Sequence, residues 1–169
     1  MANAAPASMD ERTTVLHTAR TTVAAVASLL VARALRMPEP YWATVTTIVV
    51  MQSSLGAAWE VSRNRFVGTA LGAVLGGLFA SYFGANVLAF AAAIFGLGLL
   101  CGVLRLDRTA YRFAGITVAI VMLVARDRPA WVIASHRFIE VSLGIAIALL
   151  LTAVWPEKLS SPAPGLKGT

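Results

Sequence analysis

Arg65 and Arg137 are the residues whose types and spacing could do chemistry. Each stands six positions after a tryptophan, Trp59 or Trp131, and each precedes a phenylalanine, Phe66 or Phe138. Both stretches read Ala-Trp, five residues, Arg-Phe, four residues, Leu-Gly, and the copies lie 72 positions apart. A guanidinium stays charged and offers a carboxylate two parallel donors, so one reading is an anion relay. The other reading is a pair of anchors snorkelling to headgroups at the ends of apolar helices. Arg20, set inside the first apolar run, is a third candidate for an anion. Glu140 lies three residues after Arg137 and four after His136. Helical spacing lets it pair with either, and Glu140 with His136 is the candidate for proton coupling. Trp42, Thr46, Val49 and Ser53 share one helical face. Their polar groups either line a cavity or bond their own backbone and a neighbouring helix. The candidate substrate-binding set is therefore Arg65, Arg137, Arg20, Trp42, Thr46 and Ser53. No metal-ligand cluster, nucleophile–base pair or phosphate loop is visible, so neither a cofactor nor an enzyme is expected.

These residues need helices in lipid to position them. Apolar residues make up 58% of the 169-residue chain, charged residues only 13%, and mean hydropathy is +0.76. A soluble domain carries roughly 25% charged residues. The net charge of +6 could suggest nucleic acid, but the basic residues punctuate apolar runs and form no stripe. The one cysteine, Cys101, excludes an internal disulfide. Six apolar runs are expected as transmembrane helices: 17–35, 41–55, 65–82, 87–104, 113–125 and 131–155. Residues 56–64 read as a linker, 1–13 and 157–169 as flexible tails, and 14–156 as the transmembrane domain. All seven prolines fall in turns or tails, and the four tryptophans, Trp42, Trp59, Trp131 and Trp155, fall at expected interfaces.

An offset of 72 residues covers three such spans. The expectation is an all-α integral membrane fold, six transmembrane helices in two inverted three-helix repeats. Arg65 and Arg137 would then lie at opposite mouths of one path. Both termini fall on one side, with eight basic residues there against four on the other, which favours cytoplasmic termini. Gly68, Gly72 and Gly76 form a groove for close helix packing, within or between subunits. Six short spans enclose little volume, so a homodimer is expected.

Two blocks of residues resemble a known family. Tyr41-Trp42-Ala43-Thr44-Val45-Thr46 through Met51, followed by Arg65-Phe66-Val67-Gly68-Thr69-Ala70-Leu71-Gly72, is similar to the fusaric acid resistance (FUSC) family. The closing Arg137-Phe138, Leu143-Gly144 and Trp155-Pro156 also resemble its last span. That family includes bacterial aromatic acid exporters and is distantly similar to plant aluminium-activated malate channels. The resemblance, and not composition, implies an inner-membrane exporter of small organic anions such as aromatic carboxylates. A passive anion channel and a non-transporting subunit that packs against a partner are the alternatives. The chain departs from many relatives in having one six-span block and in placing Glu140 where the first repeat has Gly68.

Overall fold

The structure is a computed structural model describing residues 7–52, 54–84, 86–124 and 128–155, with side chains from residue 14 onward. It is helical throughout: α1 (Ala7–Ala34), α2 (Tyr41–Val50), α3 (Leu55–Phe83), α4 (Val87–Val103), α5 (Arg108–Ala119) and α6 (Ala130–Val154). A single π-helical turn, Ile120–Val124, continues α5. Local chemistry sets the boundaries. Ser54 accepts from the Ala57 amide and Asn86 from the Leu88 amide, each satisfying a donor that its helix leaves open. Helices α1 and α4 end alike. Arg36 and Arg105 take left-handed φ values of 53° and 51°, while the next amides, of Met37 and Leu106, reach back to the Ala32 and Cys101 carbonyls. A left-handed residue with this bond pattern closes a helix, and a cation there suits the negative end of its dipole.

Beside its apolar core the chain buries many polar groups and exposes many large apolar ones. Arg20, Ser28, Thr46, Thr47, Ser62, Arg65, Thr69, Thr117, Arg137, Glu140 and Thr152 are buried, whereas Leu30, Val74, Leu88, Phe95, Leu99 and Leu150 are more than half exposed. The buried stripe of α1 is Arg20, Ala24, Ser28 and Ala32, one residue per turn, and Val23, Val26, Leu30 and Val31 are exposed beside it. Small residues bring helices close and polar ones hydrogen-bond between them, while apolar side chains meet lipid.

The expected six spans are not what the chain builds. Among the described residues, three helical segments are long and apolar enough to cross a membrane: Thr14–Ala34, Leu55–Phe83 and Ala130–Val154. At 10 residues, α2 reaches about 15 Å, and α5 at 12 residues about 18 Å, against a hydrocarbon core of about 30 Å. The expected linker 56–64 is helical, because Ser54 caps the helix early and no proline interrupts it. Helix α1 likewise starts at Ala7, inside the stretch read as a tail.

The two inverted three-helix repeats fail for the same reason, and what the 72-residue spacing records is a packing correspondence. Helices α3 and α6 run antiparallel: Gly77 lies against Trp131, and Phe66 stacks on Phe138 at 5.0 Å between ring centroids. Each then carries one short helix parallel to it, along its C-terminal half. A Cβ on Gly68 would overlap the Ala110 carbonyl of α5, one on Gly72 the Ala114 carbonyl, and one on Gly76 would press Val118 Cα at 3.2 Å. On the other side, a Cβ on Gly144 would overlap the Ala43 carbonyl of α2. The Gly68, Gly72, Gly76 groove thus seats α5 of the same chain. The first-helix register also shifts. Sequence spacing pairs Arg33 with Arg105, but the matching left-handed residues are Arg36 and Arg105.

Candidate functional site

The site forms where α3 and α6 cross and where α2 begins. The early start of α3 places Arg65 ten residues inside the helix, and Arg137 lies seven residues inside α6. Both are buried, at 7% and 3% exposure. Arg65 donates from Nε and Nη2 to the Thr46 hydroxyl at 3.2 and 3.0 Å, with its guanidinium 4.7 Å from the Phe113 ring of α5. Arg137 lies 3.6 Å over the Trp42 ring. Trp42 and Thr46 are one turn apart on α2, so both arginines meet the same short helix and lie close enough to repel each other. They are therefore neighbours, and the expectation of opposite mouths fails: the crossing of α3 and α6 brings Phe66 onto Phe138, and the adjacent arginines come with them. Trp42 is correspondingly half-buried in the cluster.

Glu140 is 1% exposed. Its Oε1 accepts from the Glu39 amide at 3.1 Å, and its Oε2 lies 3.6 Å from Arg137 Nη1. That pair is an ionic contact beyond hydrogen-bond length, and Glu140 Oε2, Arg137 Nη1 and Arg137 Nε have no hydrogen-bond partner. The structure gives Glu140 to Arg137 and the Glu39 amide and does not pair it with His136, which is half-buried on the same helix. Arg65 faces no carboxylate among the described residues; its donors meet a hydroxyl and a ring face.

Arg20 stands apart from this cluster. Its Nη1 donates to the Trp155 carbonyl at 2.9 Å and its Nη2 to the Gln52 carbonyl. It clamps the chain just past the C-terminal ends of α2 and α6, where exposed carbonyls favour a cation. Ser53 lies outside the described residues. Among the described residues no group of three or more His, Cys, Asp or Glu is placed to hold a metal ion.

Sequence reasoning missed Glu39, Phe113 and the Phe66–Phe138 stack. Glu39 reads in the sequence as part of a proline turn, yet its amide holds Glu140 and its Oε2 accepts from Trp42 Nε1 at 2.8 Å. An available signal was an acid just before a helix start, where the dipole favours negative charge. No pattern in the sequence points to Phe113, because its role depends on where α5 docks.

Long apolar helices, polar groups turned inward and apolar side chains turned outward define an integral membrane protein with an ionic cluster in its interior. The sequence profile of the fusaric acid resistance protein-like family matches residues 24–151, and the chain belongs to that family. It is 31% identical over 153 residues to inner membrane protein YeeA of Escherichia coli (strain K12), an alignment covering 85% of this chain and 42% of that protein. The chain thus spans less than half the length of that curated relative. No solved structure matches it.

Proposed function

We propose that this chain is a carrier, without enzymatic activity, that exports small organic anions, aromatic carboxylates first among them, across the inner membrane. The observation that carries this reading is Arg65: a buried guanidinium without a carboxylate partner among the described residues. A cation taken out of water is costly unless a counter-charge replaces its hydration. Two N–H groups on one hydroxyl leave the guanidinium able to take a bidentate carboxylate, and Phe113 and Trp42 set aromatic rings beside the two guanidiniums, an apolar setting for an attached ring. Glu140 is the buried carboxyl available to a driving proton gradient. The inner membrane follows the description of the Escherichia coli relative. The Arg20 contact sets the middle of α1 beside the end of α6, and the reading takes the side where α6 ends as cytoplasmic. A second reading, a subunit that works only beside a partner, is favoured by there being, among the described residues, three helices long enough to cross.

The test is benzoate efflux from proteoliposomes. Wild type should sustain flux, Arg65→Ala should fall to background, and Arg65→Lys should recover part of it, since lysine keeps the charge and loses the planar fork. Folded Arg65→Ala protein transporting at the wild-type rate would refute the reading and leave Arg65 as a packing residue.

A further inference from the structure

We infer that Glu140 sets the charge of the anion that this site accepts. With Glu140 ionised the site takes one negative charge, and it takes a second only when that carboxyl is neutral. The inference rests on the anion-binding reading of Arg65. Among the described residues, three buried ionisable side chains meet at the α3–α6 crossing: Arg65, Arg137 and Glu140. Together these three carry one excess positive charge, which a monoanion on Arg65 would cancel, while the half-buried Glu39 beside them adds negative charge that opposes a second anion further. A dianion would leave the interior negative, and uncompensated charge there is strongly disfavoured.

Geometry makes Glu140 a competitor and not a fixed strut. One of its oxygens is held by the Glu39 amide; the other has no hydrogen bond and stands 3.6 Å from Arg137. Arg137 Nε and Nη1 are likewise uncommitted by hydrogen bonds, so a second anionic group on a ligand has donors to reach. It must reach them past the Glu140 carboxylate. Among the described residues, the ionisable groups facing Glu140 are few. Arg137 lies beside it on α6, with His136 one residue further on the same helix. Glu39 comes from the turn before α2, half-buried and hydrogen-bonded to the Trp42 indole. Tyr41 at the start of α2 is near Arg137, Arg65 comes from α3, and α5 presents the Phe113 ring.

The test compares benzenesulfonate with benzenedisulfonate, whose charges do not change with pH, so any pH effect belongs to the protein. Calorimetric titration of purified wild type should show preference for the monosulfonate. Glu140→Gln should raise the disulfonate-to-monosulfonate affinity ratio by about tenfold or more. Acidification should raise the same ratio in wild type and leave it flat in Glu140→Gln. A folded Glu140→Gln protein with the wild-type ratio overturns the inference. Should that variant fail to fold, a ratio in wild type that stays constant as pH falls overturns it equally. Arg65→Ala separates the two levels. If it loses both probes while Glu140→Gln leaves the ratio unchanged, the Arg65 reading stands and only the role of Glu140 falls. Failure of wild type to bind either probe overturns both.

Discussion

At the scale of single residues, the Arg137–Glu140 pair behaves differently from a surface salt bridge. Both members are almost wholly buried, and the carboxylate has one firm hydrogen bond, from the Glu39 amide. Removing one partner leaves the other charged and dry. Arg137→Ala should therefore destabilise the protein by about 3–5 kcal/mol. Adding Glu140→Gln to it should restore much of that loss, because a neutral amide can stay buried while still accepting the Glu39 N–H. Thermal or denaturant unfolding in detergent of the two single variants and the double variant measures this. Additive losses in the double variant would mean that the two residues act independently. Arg65 has no such carboxylate partner among the described residues, so Arg65→Ala should lose anion binding with far less loss of fold. That contrast separates a structural arginine from one held ready for a ligand.

At the scale of elements, glycines in two different settings make the packing testable. Gly72 has the α5 backbone where its Cβ would be, whereas a Cβ on Gly96 of α4 meets nothing within 4 Å. Gly72→Ala must push α5 away from α3 and should cost about 1–3 kcal/mol. Gly96→Ala fills open space in a helix interior and should stabilise by about 0.5–1 kcal/mol. Melting temperatures of the two variants should shift in opposite directions. An equal loss in both would mean that helix seating does not depend on backbone contact at Gly72. The short helices also show where sequence reading stops. The prolines of the Pro38–Pro40 turn and the apolar run of α4 marked their elements well. The run after Gly56 did not read as helix, because its glycine and mixed polar residues suggest a loop; one cap at Ser54 and continuity with the apolar run decide otherwise.

At the scale of the whole molecule, three long helices and three shorter ones leave an uneven outer surface. Apolar grooves of about 560 and 290 Å³ flank the α3–α6 crossing, one beside Trp59, Leu149 and Leu150, the other beside Trp131, Val74 and Phe138. With Gly68, Gly72 and Gly76 filled by α5, a dimer must use such outer faces. Native mass spectrometry in mild detergent should show a dimer, and its proportion should fall on Trp59→Ala and not on Gly96→Ala; monomer alone would contradict this. The sequence by itself determined that the chain is helical, that lipid solvates it, that its family is the one the Tyr-Trp and Arg-Phe blocks resemble, and that Arg65 and Arg137 are paired by a repeat. The first two follow from composition and periodicity, and the last two from motifs and their spacing, all of them properties read along the chain. Only the tertiary structure decided that three helices are long enough to cross, that the two arginines are neighbours, and that Glu39 and Phe113 join them. Those outcomes depend on the angle and depth at which α3 meets α6 and on which groove seats each short helix. Contacts between distant residues set both, and a spacing of 72 residues fits neighbouring arginines as well as separated ones.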